Sequence, residues 1–309
     1  MKGMKIIECV PNFSEGRKRH KVEAIVQAAS EITGVKILDY SLDEDHNRSV
    51  LTLVGSPDDV QAGVLAAAEK ALELIDMKKH KGVHPRIGAV DVVPFVPLMD
   101  ATMDDAVAVA HSFGRTFGAR NEVPVYFYGA AALREDRTNL AQVRRGQLEG
   151  LRKRITDPLW FPDAGPARFH KRKGATAVGA RKPLIAFNIN LDSNDIVVAR
   201  EIARLIRTSS GGLDHVMAMG VKLRSRKKVQ VSMNLTDYEV TPPRRVFDAV
   251  REQAALHGVE IIESELIGLT PRAALAETTA EYLKLARFRP EMILESHIEG
   301  DSELLSSLE

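Results

Sequence analysis

The chain has 309 residues, 44% hydrophobic and 28% charged, and its 43 basic residues nearly balance 42 acidic ones. The apolar content excludes disorder, and with so small a net charge no global field draws the chain to nucleic acid or an anionic membrane. The length exceeds what one hydrophobic core usually serves, so two core-bearing units are expected. A single cysteine, Cys9, forbids an internal disulfide and fits a reducing compartment. Neither a signal-peptide apolar region nor a run of roughly 20 apolar residues occurs, so a cytoplasmic protein with no membrane partner is expected.

Lys5 to Val10 reads as a strand, closed by the turn-rich run Pro11-Asn12-Phe13-Ser14-Glu15-Gly16. Val22, Ile25, Val26, Ala29 and Ile32 recur at helical spacing until Gly34 stops them. Val35 to Asp39 and Ser49 to Val54 are strands on either side of the polar run Ser41 to Asn47. Pro57 opens an alanine-rich helix with Val60, Val64, Leu65, Ala68, Leu72 and Ile75 on one face. A strand from Ala89 to Val96 follows, then a helix from Met103 to Phe117 and a strand from Val123 to Tyr128. Glu135 to Leu151 reads as a charged helical excursion, and Thr156 to Gly174, with three prolines and two glycines, as a long functional loop.

Pro183 to Leu191 is strand-like, and Asp192 or Ser193 caps a helix reaching Ile206. Residues 215–235 suggest a hairpin, Pro242 and Pro243 begin a helix ending at His257, Val259 to Ile262 is a strand, and Pro271 to Arg287 forms terminal helices. Each half therefore reads βαββαβ. The expected fold class is α/β in the α+β sense, two tandem ferredoxin-like subdomains over residues 1–180 and 181–309.

The richest chemistry lies between His80 and Pro97, where two imidazoles, Lys81, Arg86 and Asp91 run directly into an apolar strand. His80 and His84 are spaced as in a helical zinc motif, but Lys81 stands where that motif needs glutamate, and Gly82 and Pro85 break the helix; no metal is expected. Pro85 biases His84 toward an extended backbone. Two readings of His84 stand side by side: a loop histidine bonded to backbone, and a proton-transfer group whose ordinary pKa suits neutral pH. Asp39, Asp43, Asp45, His46, Asn47 and Arg48 form a second polar cluster, either a solvated turn or a place where Asp39 orients an imidazole and Arg48 forks onto a carboxylate.

The glycine-bounded run Gly165-Pro166-Ala167-Arg168-Phe169-His170-Lys171-Arg172-Lys173-Gly174 carries five potentially cationic side chains and one aromatic. It reads as a mobile basic loop or as a grip on a compact polyanion with a flat ring. One aromatic is too few for a sequence-tolerant nucleic-acid groove, so no nucleic-acid partner is expected. No Walker loop, nucleophile elbow or dinucleotide fingerprint is present.

The chain resembles the glutamate formimidoyltransferase family, the formiminotransferase part of formimidoyltransferase-cyclodeaminase. The resemblance is carried by Glu8 through Gly16, Asn47-Arg48, Ile75-Asp76-Met77 leading into His80-Lys81-Gly82-Val83-His84-Pro85-Arg86, Pro124 through Gly129, Gly179 through Lys182, Ala186 through Asn190, and Val231 through Leu235. It implies transfer of a formimidoyl group between N-formimidoyl-L-glutamate and N5 of tetrahydrofolate, a step of histidine degradation, with tetrahydrofolate as co-substrate and no metal. It further implies two subdomains facing a substrate cleft, a homodimer, His84 as the catalytic histidine, and residues 165–174 as the folate loop. Asp39, Arg48 and Arg86 are the expected substrate-orienting residues.

Two departures from the animal members stand out. Arg168, Lys171, Arg172 and Lys173 make the folate loop more basic, which suggests a grip on the glutamate tail of folate, and the chain ends at 309, so a separate cyclodeaminase is the expected downstream partner. Formyl and formimidoyl groups differ by O against NH, so a relative using formylglutamate or 5-formyltetrahydrofolate is the nearest alternative. A non-catalytic folate- or RNA-binding module is a third reading, opposed by intact His84 and Arg86.

Overall fold

The computed structural model describes residues 5–44, 46–82, 84–223 and 226–297; Asp45 and Val83 of the motifs above lie outside them. The chain divides into two units, the first running to Arg181 and the second beginning at Lys182.

The first unit runs β1 (Ile7–Cys9), β2 (Asn12–Phe13), α1 (Arg19–Ser30), β3 (Lys36–Asp43), β4 (Arg48–Gly55), α2 (Pro57–Leu74), β5 (Val90–Pro97), α3 (Met103–Asn121), β6 (Val125–Gly129), α4 (Leu140–Val143), α5 (Gln147–Arg154) and β7 (Thr176–Ala180). β1 and β2 behave as one strand interrupted at Pro11, because both pair antiparallel with β4 and with β5. β3 lies antiparallel outside β4, while β7 runs parallel to β5 and β6 parallel to β7. The helices form where their caps are encoded. Ser56 accepts from Asp59 N ahead of Pro57, and Thr102 and Asp105 close a reciprocal capping box on α3.

One face of this sheet is the core. Ile7, Cys9, Phe13, Leu51, Leu53, Val93, Phe95, Phe127 and Val178 are buried with Ile25 of α1, Val64 and Ala68 of α2, and Phe113 and Phe117 of α3. Strand alternation then sends Glu8, Asp39, Arg48, Thr52 and Tyr128 to the opposite face. That face carries most of the sheet's ionisable groups.

The second unit is βαββαβ, as expected: β8 (Ile185–Leu191), α6 (Ile196–Ile206), β9 (Val216–Leu223), β10 (Lys228–Leu235), α7 (Pro243–Leu256) and β11 (Ile261–Ile267). Its antiparallel sheet has the order β11-β8-β10-β9. Phe187, Ile189, Val231 and Met233 pack with Ile202 and Ala203 of α6 and with Val246 and Phe247 of α7. Asn188, Asn190, Gln230, Glu263 and Glu265 form a hydrogen-bonded polar ladder on the other side.

Four expectations need correction. β7 falls between the loop ending at Gly174 and the strand beginning at Pro183, where no element is expected: its run Thr-Ala-Val-Gly-Ala is poor in large β-branched residues, yet it is buried throughout between two partners. Its small residues are required, since a Cβ on Gly179 would stand 2.6 Å from the Tyr128 ring. The charged excursion is helical only in pieces, a 3-10 turn at Glu135–Arg137 and then α4 and α5, with Gly146 at φ 77° between the last two. The cap of α6 is Asp195, whose carboxylate accepts from Val197 N, in place of Asp192 or Ser193. Finally, 271–287 holds a 3-10 turn at Arg272–Leu275 and turns, with no α-helix among the described residues. It works as a strap: Leu283 is completely buried in the second core, and Leu285 bridges Ser264 of β11.

Candidate active site

Asp91, at the start of β5, is the buried centre of the polar face. Its Oδ2 accepts from Arg48 Nη1 and from Arg144 Nη2, each at 2.6 Å, and its Oδ1 accepts from Ile87 N at 2.7 Å. Burial alone would raise this carboxyl's pKa; the Arg144 and Arg48 charges and the hydrogen bonds outweigh it and hold Asp91 below its ordinary value. Arg48, at the start of β4, also donates from Nε to Asn12 Oδ1 at 2.9 Å. Burial brings its pKa down to about 10, with Asp91 opposing.

His84 enters from the loop before β5. Its Nδ1 lies 2.7 Å from the Pro85 carbonyl, and since a carbonyl can only accept, Nδ1 carries the proton. Nε2 is then an unprotonated acceptor, with no hydrogen bond to any described residue. Burial, followed by the Arg48 and Arg144 charges, pushes the His84 pKa down to about 3, so the ring is neutral. His46 meets it edge-on with centroids 5.8 Å apart, and is itself 2.7 Å from Asp43.

His80 differs in kind. Its Nε2 donates to Asn47 O at 2.9 Å and its Nδ1 accepts from Arg86 Nε at 3.3 Å, so both ring nitrogens are occupied. The same loop is clamped at other points: Asn47 accepts from Gly16 N and donates to Lys81 O, and Ser14 Oγ donates to Gly88 O. Gly82 is required there, because a Cβ would meet the His46 carbonyl at 2.2 Å. The segment around Asn12–Gly16 therefore braces the histidine loop.

Of the expected orienting residues, Arg48 sits in the cluster. Arg86 turns toward α5, giving a fork to Glu149 at 2.7 and 2.9 Å and a bond to Gln147 at 2.9 Å. Asp39 shares the sheet face through its pairing with Thr52, but the Pro85 carbonyl, not Asp39, holds the His84 ring.

The loop 165–174 docks beside the histidine loop. Met77 N donates to Arg172 O, Ala89 N to Lys173 O, and Gly88 bridges Gly174. Phe169 packs on two apolar clusters. Two of its cations are helix caps: Arg172 donates to the Glu73 carbonyl at the end of α2, and Lys173 to the Asn121 carbonyl at the end of α3, both at 2.7 Å. Arg168 pairs with Glu122 at 3.5 Å, and Lys171 is exposed without a partner among the described residues.

Sequence reading gave no site role to Arg144, the C-cap of α4, nor to buried Glu8 and Tyr128 and half-buried Arg181, although these last three lie in the motifs that carry the resemblance. Nothing local separates Arg144 from its neighbour Arg145; only its meeting with Asp91, 53 positions away, does. Glu8 is raised to about 7 by burial, with Arg181 opposing, and Tyr128 is raised by burial while bonded to Arg181.

Comparison with known proteins gives a consistent result. The N-terminal subdomain model of the formiminotransferase domain matches residues 6–181, and a second formiminotransferase domain model matches residues 186–297. A glutamate formimidoyltransferase of Streptococcus pyogenes is 43% identical over 96% of this chain and 99% of its own length, and one of Thermoplasma acidophilum is 43% identical over 96% and 98%. The formimidoyltransferase-cyclodeaminase of Gallus gallus is 43% identical over 91% of this chain and 53% of its own length. With both halves matched and relatives aligned over nearly their full length, the chain belongs to the formiminotransferase domain family.

Proposed function

We propose that this protein is a folate-dependent glutamate formimidoyltransferase, moving the formimidoyl group between N-formimidoyl-L-glutamate and N5 of tetrahydrofolate as a step of histidine degradation, with His84 as general acid and base. The names of full-length relatives at 43% identity support the reaction class. The observation that carries the residue assignment is the imidazole itself: fixed through Nδ1, neutral, and open at Nε2.

N5 attacks the amidine carbon and sheds a proton as the N–C bond forms. The glutamate nitrogen must gain a proton before its bond to that carbon breaks. Nε2 of His84 takes the first proton and returns it to the second site, so one group serves both halves of the transfer. Holding two substrates together converts the encounter into an effectively intramolecular step. Residues 165–174 are assigned to tetrahydrofolate, Asp39 and Arg48 to substrate orientation. Arg86, whose donors reach α5 and His80, orients indirectly by holding the histidine loop. Pairing into a homodimer and a separate cyclodeaminase acting on the product belong to the same reading.

The test is a turnover assay with tetrahydrofolate and N-formimidoyl-L-glutamate, run beside N-formyl-L-glutamate. His84→Ala should lower kcat by roughly 10²- to 10⁴-fold while tetrahydrofolate still binds. Equal turnover by that variant would remove His84 from the reaction, and preference for the formyl compound would reassign the transferred group.

A further inference from the structure

In the first unit two arginines serve one carboxylate. Arg48 and Arg144 contribute two positive charges and Asp91 one negative, which leaves one positive charge in excess. The three side chains are 10%, 14% and 0% exposed, so water screens that excess poorly. His84, neutral, cancels none of it, and the buried Glu8 carboxyl, raised to about 7 by burial, has Arg181 as its charged neighbour.

The donor inventory points to one residue. Arg48 spends Nη1 on Asp91 and Nε on Asn12. Arg144, with the five N–H donors of a guanidinium, makes one hydrogen bond, through Nη2, among the described residues. Its Nε is fully buried and bonded to nothing. An under-used guanidinium fork with an excess charge is a receptor for a carboxylate.

We propose that Arg144, with Arg48, holds the α-carboxylate of the amino-acid substrate next to His84 and selects a glutamate derivative over its α-amide. This rests on the formimidoyl-transfer reading above. The α-carboxylate is borne by the same carbon as the reacting nitrogen, so a group handling that nitrogen's proton meets it directly. The carboxylates of folate are separated from N5 by an aromatic ring and an amide, and they belong elsewhere.

The test compares Arg144→Gln and Arg144→Lys with the parent protein in steady-state kinetics, using N-formimidoyl-L-glutamate and its α-amide, with calorimetric binding of L-glutamate and L-isoglutamine alongside. Arg144→Gln should raise KM for the acid roughly 10- to 100-fold, leave KM for tetrahydrofolate unchanged, and abolish the preference for acid over α-amide. Arg144→Lys, which keeps the charge without the fork, should fall between, and it carries the comparison if the glutamine variant fails to fold. Loss of thermal stability with an unchanged acid-to-amide ratio would overturn the assignment and leave Arg144 as a tie between α4 and β5. A parent protein that binds L-glutamate through Arg144 but turns nothing over would keep the assignment and sink the transfer reading.

Discussion

At His84 the ring is held by the Pro85 carbonyl and made neutral by burial and by the Arg48 and Arg144 charges. Such a ring is unprotonated at any working pH, because protonation begins only far below neutrality, but it is a weak base for as long as the Arg48 and Arg144 charges stay uncompensated. In the free enzyme His84 therefore contributes no acid limb to kcat/KM between about pH 5 and 7. A pH profile showing such a limb near 6.5, lost in His84→Gln, would contradict the depressed value. Bound substrate carboxylate beside Arg48 and Arg144 would relax that depression, so the limb in kcat should lie at higher pH than the limb in kcat/KM. The neighbouring His80 shares none of this, since both its nitrogens are spent on Asn47 and Arg86.

At the scale of elements, the loop 165–174 spends two of its charges on helix ends. Arg172 closes the end of α2, so Arg172→Ala should cost about 0.5–2 kcal/mol in denaturant unfolding. Lys171 is exposed and has no partner among the described residues, so Lys171→Ala should change stability by less than about 0.5 kcal/mol. If the loop grips a polyglutamate tail, Lys171→Ala is the change that weakens that binding and its salt dependence; unchanged affinity would rule Lys171 out of the grip. β7 offers a different check. Gly179→Ala forces a methyl into the Tyr128 ring and should destabilise by roughly 1–3 kcal/mol, and an unmoved unfolding midpoint would show that the ring has room to shift.

Across the whole molecule, half-buried His84 and buried Glu8 pull stability in opposite directions with pH. His84 falls from its ordinary 6.5 to about 3, so between those values the unfolded chain binds a proton that the native one does not, and stability drops as pH falls through that window. Glu8 rises from 4.5 to about 7, so the native state holds the extra proton and stability drops as pH rises from 4.5 to 7. Glu8→Gln should accordingly raise the thermal midpoint at pH 8 and leave it nearly unchanged below pH 4.5; no difference between the two pH values would exclude a protonated native Glu8. No helix among the described residues is long and apolar enough to cross a membrane.

Periodicity, caps and turn residues were enough to find α2 and α3, the first strand as far as Cys9, the hairpin of β9 and β10 and the βαββαβ order of the second unit, but not β2, which pairs within the run read as a turn. These are local signals, encoded within one element's length. The residue types of the His80 to Arg86 motif likewise marked candidate chemistry. What the local pattern did not hold was β7, made strand by the two partners beside it, and the strap at 271–287, shaped by the core it covers. The same is true of the site's electrostatics. Arg144 looks like any other arginine of a charged segment until the chain brings it to Asp91, and His84 is an ordinary imidazole until burial and two guanidinium groups strip its proton away. Local pattern set most of the elements and marked candidate residues; the folded chain decided which charges meet and in what protonation state, because pairing, desolvation and the reach of a guanidinium depend on distances between residues far apart in the chain.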